Sequence, residues 1–194
     1  MSTKSALILA GGESRRFGSN KALAPFGDTT LIEHIISRLE PLFEEIIISA
    51  NNPEIYSRLG LPVCEDLLPE TGPLAGLHAG LKAAASDYVF VTACDMPYVT
   101  PDIIGQMRSI LVKTNPDAIV PARNGFIEPF HGFYSKRLIL EIEATEQSAS
   151  GGMFSFIQKV KSQALPCSDE KIFININTPE KLDELNRGVF SKDN

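Results

Sequence analysis

Residues 7–23, which read LILAGGESRRFGSNKAL, have the residue types and spacing of a phosphate-binding loop. An apolar run ends in Gly11 and Gly12, and glycines let backbone N–H groups approach an anion without obstruction by a Cβ atom. Three cations follow: Arg15, Arg16 and Lys21. Clustered positive charges suit a triphosphate, whose charge a single lysine would balance poorly. The segment therefore predicts a loop that holds a nucleotide triphosphate.

Two common phosphate-binding loops do not match this segment. A Walker A loop requires Gly-Lys followed by Ser or Thr, whereas Gly18 is followed by Ser-Asn-Lys. A dinucleotide-binding turn requires Gly-x-Gly-x-x-Gly with small residues for helix packing, whereas Gly12 is followed by five residues that include two arginines. A solvated basic turn is the alternative, but the position directly after an apolar strand favours phosphate binding.

Asp95 is the residue best placed to hold a metal ion. It follows the apolar run YVFVTA and precedes Met-Pro, which ends the strand. Mg²⁺ in nucleotide sites is held by one or two carboxylates together with water and phosphate oxygens. A cap of the following turn is the alternative role, and Cys94 beside it is expected to pack within the strand.

The elements that must position these residues alternate between strand and helix. Short apolar runs predict buried parallel strands at 5–10, 45–50, 62–65, 88–93 and 117–122. Amphipathic or Ala/Leu-rich segments predict helices at 30–42, 74–85 and 101–112. The first of these helices has a capping-box pattern at Thr30 and Glu33. This alternation predicts an α/β fold, a three-layer α/β/α sandwich with a mainly parallel, Rossmann-like sheet.

Polar residues that follow successive strands are expected to meet in one crevice, because ligands of open parallel sheets bind at the carboxyl ends of the strands. Asn51 follows the second strand, Asp66 the third and Asp95 the fourth. The glycine-rich loop follows the first strand. We expect all four groups to converge there.

The second half of the chain is less regular. Residues 126–135 are predicted to be extended with an edge or bend at Pro129, and helices are predicted at 136–147, at 152–161 and from Pro179. Residues 172–177 read IFININ and predict a strand that places Asn175 and Asn177 on one face. The stretch at 148–152 is a short loop, so residues 1–194 are expected to form one domain.

Composition excludes several classes of protein. A net charge of −6 argues against a nucleic-acid partner, and no apolar stretch is long enough to span a membrane. The three cysteines show no Cys-x-x-Cys pair, so reduced thiols in a cytoplasmic protein are expected. Three dispersed histidines suggest no catalytic triad; His34 is expected in a helix, and packing roles are favoured for His78 and His131 over lining a substrate pocket.

The loop resembles the signature L-A-[GA]-G-x-[SG]-x-R-[ML]-G-x-[DN]-K of nucleotidyltransferases with a nucleotide-diphosphosugar-transferase fold. Further segments occur in the order found in the molybdenum cofactor guanylyltransferases, the MobA family: ANNPEIY, EDLLPETGPLAGLHAGL, TACDMPYV and FININTPEKL. Together these segments span nearly the whole chain. Two positions depart from the usual residues, with Phe17 in place of Met and Asn20 where Asp is commoner.

The resemblance implies transfer of GMP from GTP to the terminal phosphate of molybdopterin, with release of pyrophosphate. It assigns nucleotide contacts to Leu9, Ala10, Gly11, Lys21, Asn51, Asp66 and Asp95, and the backbone of Gly12 is expected to join them. It assigns Mg²⁺ to Asp95 and proximity to the pterin to Asn175 and Asn177. We expect Lys21 and Arg15 to neutralise charge on the leaving pyrophosphate, and Arg16 either to do the same or to face solvent. Transient contacts with cofactor-synthesis or chaperone proteins are also implied.

Two other functions remain open at this point. One is a nucleotidyltransferase of the same fold that uses CTP or another phosphorylated acceptor. The AGG form of the loop argues against it, because cytidine-using relatives often have AAG. The other is a noncatalytic module that binds GTP or the cofactor, which would not need a metal ligand at Asp95.

Overall fold

A computed structural model describes residues 1–11, 17, 20–68, 72–146 and 152–190 of the chain. In these residues a mostly parallel sheet is formed by eight strands: β1 (Ser5–Leu9), β4 (Glu45–Ser49), β5 (Val63–Cys64), β6 (Tyr88–Ala93), β7 (Ala118–Arg123), β8 (Phe126–Ile127), β9 (His131–Ser135) and β10 (Ser162–Pro166). A separate small hairpin consists of β2 (Pro25–Phe26) and β3 (Thr29–Thr30). The five strands predicted in the first two thirds of the chain are thus confirmed.

The strand order of the large sheet is β10-β7-β9-β6-β1-β4-β5, and β8 pairs with β7. Strand β1 lies at the centre and pairs in parallel with β4 and β6, with Leu7 opposite Ile47 on one side and Val91 on the other. Strand β9 is antiparallel to both β6 and β7. The carboxyl ends of β1, β4, β5 and β6 therefore meet along one edge, as the sequence predicted.

In the part of the chain that the structure describes, six helices cover the two faces of the sheet: α1 (Leu31–Leu39), α2 (Pro73–Ala83), α3 (Pro101–Thr114), α4 (Leu138–Glu146), α5 (Met153–Lys159) and α6 (Pro179–Phe190). Buried side chains of α1, α3 and α6 belong to one apolar cluster, and those of α2, α4 and α5 belong to a second cluster. This arrangement confirms the three-layer α/β/α fold. None of the described helices is long and apolar enough to cross a bilayer.

Local signals in the sequence explain where several helices begin. The capping box of α1 is formed, since Glu33 N donates to Thr30 Oγ1 over 3.4 Å and Thr30 N donates to Glu33 Oε2 over 2.8 Å. At the start of α6, Lys181 N donates to Thr178 Oγ1 over 3.3 Å. Such side-chain acceptors satisfy N–H groups that have no partner within the first helical turn.

The region after β9 differs from the prediction in two respects. The strand predicted at 172–177 is wrong, because Glu170–Phe173 form a 3₁₀ turn and the chain then runs on without pairing to the sheet. The strand β10 was not predicted, since only Leu165 in it is buried and its alternating pattern is weak. The bend at Pro129 is present between β8 and β9, although β9 lies inside the sheet. Most of the predicted loop at 148–152 lies outside the described residues.

Gly132 in β9 is a position at which no side chain fits. A Cβ atom there would collide with the carbonyl oxygen of Ile119 and come within 2.8 Å of Val120 Cγ1. We expect Gly132→Ala to lower the free energy of unfolding by about 2 kcal/mol or more, measured by chemical denaturation. The control is Gly105→Ala in α3, where nothing lies within 4 Å of the added atom. That variant is expected to gain up to about 1 kcal/mol from helix propensity. Equal effects of the two substitutions would contradict the prediction.

Candidate active site

A cleft of about 1090 Å³ opens at the carboxyl edge of the parallel strands. Eight of the residues predicted from the sequence line it: Leu9, Ala10, Gly11, Lys21, Asn51, Asp66, Asp95 and Asn175. The remaining lining residues include Asn20, Ala22, Ser49, Gly72, Pro73, Gly76, Ala93, Cys94 and Phe130. Described residues that follow each of the four strands therefore line the same cleft, as expected. Gly12, Arg15 and Arg16 lie outside the described residues.

Lys21 and Asp95 form an ion pair in the cleft. Lys21 Nζ lies 2.5 Å from Asp95 Oδ2, and each side chain is only 14% exposed. The ammonium group also lies 5.7 Å from the centre of the Phe17 ring, on which a cation is favourably placed. Limited exposure weakens screening by water, so this pair interacts more strongly than one on the open surface. The cleft thus holds one cation and one anion in direct contact.

Asn20 fixes the turn that carries Lys21. Its side chain accepts a hydrogen bond from Ala22 N over 2.9 Å and so caps the 3₁₀ turn Lys21–Leu23. Asparagine is one of the preferred residues at such a cap, because its side-chain oxygen reaches an unpaired N–H group. The asparagine at this position therefore keeps the ordering role that an aspartate would perform.

Asn51 and Asp66 hold each other on the other side of the cleft. Asn51 Nδ2 donates to Asp66 Oδ2 over 2.9 Å, and Asp66 N donates to Asn51 Oδ1 over 3.2 Å. The register of the sheet explains this contact, because Ser49 pairs with Cys64 and each polar residue comes two positions later. The carboxylate of Asp66 is thereby oriented at the cleft, where it can accept N–H or O–H groups from a ligand.

The end of β1 forms the floor between these two pairs. Ala10 N donates to Ser49 O over 2.9 Å, which extends the pairing of β1 with β4 by one residue. Among the described residues, a Cβ atom on Gly11 would meet only Ser49 O, at 4.0 Å. Backbone groups at this point can approach a ligand closely.

The two asparagines near the carboxyl end of the chain do not share a face. Asn175 lines the cleft, whereas Asn177 is exposed and is not among the lining residues. The prediction failed because the segment is not a strand. Its Ile176 N instead donates to the backbone oxygen of Asp95 over 2.9 Å, which places Asn175 beside Asp95.

Two buried oxygen atoms at this end of the cleft make no hydrogen bond to any described residue. They are Asp95 Oδ1 and Asn175 Oδ1. Buried acceptors without partners are rare in folded proteins, and they indicate a missing water, ion or ligand. A carboxylate and an amide oxygen are both ligands that hard divalent cations prefer. Among the described residues, however, no group of three or more His, Cys, Asp or Glu side chains could enclose a metal ion.

None of the three histidines lines the cleft. His78 is buried in α2, and its Nε2 lies 2.8 Å from Glu143 Oε1 in α4, so it joins two helices. His131 is buried in the sheet and packs edge-on against Phe90 at a centroid distance of 5.1 Å. His34 lies in α1 and packs edge-on against Phe26. The packing roles favoured from the sequence are therefore confirmed.

His131 should make the stability of the fold depend on pH. Burial lowers the pKa of its imidazole to about 4, whereas an unfolded chain titrates near 6.5. Between these values the unfolded state binds more protons, so stability falls as the pH falls. We expect wild type to lose about 1.5 kcal/mol more than His131→Leu between pH 6.5 and pH 5, measured by urea denaturation. Parallel pH profiles for the two proteins would contradict this.

The cysteines are all unpaired thiols. Cys94 borders the cleft, but burial raises the pKa of its thiol to about 12, and burial likewise raises that of Cys64 to about 11. A thiol that stays protonated at neutral pH is a poor nucleophile. Cys94 therefore packs at the strand end, as predicted.

Several lining residues had no role in the sequence prediction. Ser49 is 1% exposed. It is a polar residue at the end of an apolar strand, and this position could have identified it as a candidate for the cleft. The start of α2 contributes Gly72, Pro73 and Gly76. A Cβ atom on Gly76 would lie 2.6 Å from Ser49 Oγ, so this glycine allows α2 to pack at the cleft. Nothing in the sequence marked Phe130.

Comparisons with known proteins agree with this geometry. The model of the MobA-like NTP transferase domain matches residues 6–165. A probable molybdenum cofactor guanylyltransferase of Peptoclostridium acidaminophilum is 37% identical over 190 residues, covering 92% of this chain and 86% of that protein. The molybdenum cofactor guanylyltransferase of Syntrophotalea carbinolica is also 37% identical over 190 residues, covering 94% of this chain and 90% of that protein.

Similarity extends to solved structures. The molybdopterin-guanine dinucleotide biosynthesis protein A of Archaeoglobus fulgidus superposes with a TM-score of 0.81 at 23% identity. The match covers 97% of this chain and 99% of that protein. At this level of identity the likeness concerns the fold.

Proposed function

The chain belongs to the MobA-like NTP transferase family, and from this premise we propose that it transfers GMP from GTP to the terminal phosphate of molybdopterin cofactor. The acceptor phosphate attacks the α-phosphorus, a new P–O bond forms, and the bond to the β-phosphate breaks so that pyrophosphate leaves. One observation carries this proposal: the Lys21–Asp95 pair lies in a single cleft with the Asn51–Asp66 pair and Asn175.

The guanine nucleoside is assigned to the Asn51–Asp66 end. Because β4 and β5 lie on the far side of β1 from β6, this pair is separated from Asp95 by two to three strands, or roughly 10–15 Å. A nucleoside can span that distance with its phosphates directed at Asp95. Leu9, Ala10 and Gly11 would form the floor under the nucleotide, with Gly12 continuing the loop. The oriented carboxylate of Asp66 can accept from guanine N–H groups or from ribose hydroxyls.

The phosphates are assigned to the loop and to Lys21. Nucleotidyl transfer depends mainly on positioning and on neutralising charge at the phosphates. The Lys21 ammonium group, held in the cleft beside Asp95, is placed to neutralise the departing pyrophosphate. Arg15 is the second cation assigned to this task. The arginine of the family signature aligns with Arg16, so we assign the pair jointly.

A divalent cation, for which we propose Mg²⁺, fits the Asp95 end of the cleft. The two unpartnered oxygens, Asp95 Oδ1 and Asn175 Oδ1, would hold it, and so small a protein donor set suits Mg²⁺, which keeps several water and phosphate ligands. When bound, the cation supplies neutralisation of negative charge on the phosphate oxygens. Asp95 has the further task of holding Lys21 in place through its other oxygen.

The acceptor is assigned to the side of the cleft formed by the carboxyl-terminal segment. Asn175 can offer its side chain to the terminal phosphate of the pterin, next to the reacting α-phosphate. Asn177 is exposed and outside the lining, so we propose for it a contact with a more distant part of the acceptor.

We propose that residues 1–194 act as one nucleotidyltransferase domain. The family model ends at residue 165, yet the segment beyond it supplies Asn175 to the cleft. Leu182 of α6 packs into the same apolar cluster as α1 and α3. These contacts support a single unit in which the last helix secures the acceptor side.

The proposed cellular compartment rests on the state of the cysteines, and the proposed partners rest on the reaction. Three unpaired thiols support a reducing compartment, for which we propose the cytoplasm. GTP and molybdopterin are the proposed small-molecule partners. Because the product is passed on to molybdoenzymes, we also propose transient contacts with cofactor-synthesis or chaperone proteins.

The test is an assay with α-labelled GTP, Mg²⁺ and molybdopterin cofactor. The expected result is label on the pterin together with stoichiometric pyrophosphate. A parallel reaction with α-labelled CTP is expected to transfer at least about a hundredfold more slowly, since a site that hydrogen-bonds one base leaves polar groups unpaired with another. Transfer from CTP alone would replace guanylyl by cytidylyl transfer. Tight GTP binding without transfer would indicate a noncatalytic module.

A further inference from the structure

Tyr56 is a buried tyrosine with an unusual position relative to the phosphate loop. It lies in the 3₁₀ segment Pro53–Leu59 that follows Asn51, and it is 1% exposed. Its hydroxyl accepts a hydrogen bond from Asn20 Nδ2 over 3.1 Å. The same hydroxyl lies 3.4 Å from the carbonyl oxygen of Ala10 and 3.4 Å from Asn20 Oδ1, either of which can accept its proton.

These partners stand at the two ends of the glycine-rich segment. Ala10 directly follows β1, and Asn20 caps the turn that begins with Lys21. One phenol oxygen therefore contacts the residue at which the loop leaves the sheet and the residue at which the chain re-enters regular structure. Its position fixes the separation of those two ends.

Within the described part of the chain, the hydroxyl makes no hydrogen bond besides these. Tyr56 is not among the residues that line the cleft, so it does not itself meet the substrate. Burial raises the pKa of the phenol, which therefore stays neutral and acts only through hydrogen bonds. A phenylalanine would fill the same space without the cost of burying a hydroxyl group. The aromatic ring is sufficient to fill the core, so the hydroxyl group is retained for its hydrogen bonds to the ends of the glycine-rich segment.

We propose that Tyr56 is a positioning residue that sets Lys21 against Asp95 by holding Asn20 to Ala10. The contacts form a continuous series. The Tyr56 hydroxyl bonds to the Asn20 side chain, and that side chain accepts a hydrogen bond from Ala22 N. The turn held in this way carries Lys21, whose ammonium group lies 2.5 Å from Asp95. The inference rests on the proposed function for its kinetic consequence, but the effect on nucleotide binding is independent of the acceptor.

The test compares Tyr56→Phe with Tyr88→Phe. Tyr88 is also a buried tyrosine, 2% exposed, and its hydroxyl donates to Asn115 Oδ1 over 2.8 Å at the opposite edge of the sheet. Each variant loses one buried hydroxyl group, and Tyr88→Phe should lose at least as much stability in thermal unfolding, because the Tyr88 hydroxyl also accepts a hydrogen bond from Arg137 Nη2 over 2.9 Å. Tyr56→Phe is expected to lower kcat/KM for GTP, and the calorimetric affinity for GTP, by roughly five- to tenfold. Tyr88→Phe is expected to remain within twofold of wild type.

A double-mutant cycle decides whether the effect passes through Lys21. In a Lys21→Met background, Tyr56→Phe should change GTP affinity by less than twofold, because the group that it positions is gone. Asn20→Ala provides a second variant with intact Tyr56, and it should lose at least as much as Tyr56→Phe. If Tyr56→Phe behaves like Tyr88→Phe, or if its full loss persists in the Lys21→Met background, the positioning role is wrong. Absence of transfer in wild type, with GTP affinity still sensitive to Tyr56→Phe, would overturn the proposed function alone.

Discussion

Asp95→Asn is expected to lower guanylyl transfer by at least about a thousandfold while the protein remains folded. The substitution keeps the size of the side chain and removes its negative charge. That charge holds the Lys21 ammonium group at 2.5 Å, and the carboxylate contributes one of the two unpartnered oxygens proposed to bind a divalent cation. Removal of one preorganised electrostatic group from an active site commonly costs a hundredfold to a thousandfold in rate. Here one substitution disturbs both the cation and the lysine.

The measurement is single-turnover transfer from α-labelled GTP at saturating Mg²⁺, with circular dichroism and thermal unfolding as tests of the fold. Asp183→Asn is the matched control, because Asp183 is exposed in α6 and does not line the cleft. It should transfer at the wild-type rate. Turnover by Asp95→Asn within tenfold of wild type would remove Asp95 from the proposed centre of the reaction.

The sequence predicted the central part of this site for a simple physical reason. Buried parallel strands consist of continuous apolar runs, so the polar residue after each run is conspicuous and its position at the sheet edge is fixed. Asn51 and Asp66 illustrate this. Each was identified by following a strand, and their mutual hydrogen bonds result from the parallel register of β4 and β5. Knowing which segments are strands was therefore sufficient to predict that these side chains lie close together.

Prediction failed where the hydrophobic pattern was compatible with more than one structure. IFININ alternates as a strand does, but its buried residues Ile172 and Ile176 are packed beneath a 3₁₀ turn and an unpaired segment. Nothing local shows that Ile176 N pairs with Asp95 O in place of a neighbouring strand. The edge strand β10 was missed for the opposite reason, since it buries too little to give a pattern. Both cases depend on tertiary contacts that a single sequence does not display.

Tyr56 shows a second limit of sequence reasoning. The segment ANNPEIY resembles the family pattern, and within it the sequence predicts a role for Asn51, because a polar residue after a strand has an expected place at the sheet edge. Tyr56 lies five positions later in an irregular segment, where the sequence predicts no particular position for a side chain. Only the fold shows that its hydroxyl reaches Asn20 and Ala10, which are distant from it in sequence. Residues that act through a neighbour are therefore harder to predict than residues that meet the ligand.

Lys21→Met is the second substitution expected to have a large effect, lowering kcat/KM for GTP by roughly a hundredfold. Methionine retains most of the length and apolar surface of the lysine stem, and it removes the ammonium group together with that group's contact to the Phe17 ring. If Lys21 neutralises charge that develops on pyrophosphate as it leaves, the interaction is stronger in the transition state than in the bound substrate. The rate constant kcat should then fall by roughly tenfold, in addition to a loss of roughly tenfold in the affinity for GTP.

The control is Lys82→Met in α2, where the lysine pairs with Glu143 over 3.4 Å and does not line the cleft. It should retain wild-type kinetics, because exposed ion pairs contribute little. Lys21→Met with kcat unchanged and only GTP affinity reduced would restrict the lysine to substrate binding. Because Lys21 and Asp95 are in direct contact, their substitutions should not be additive: Lys21→Met should cost much less in an Asp95→Asn background than in wild type. Full additivity would mean that the two groups serve separate steps, which the ion pair in the cleft argues against.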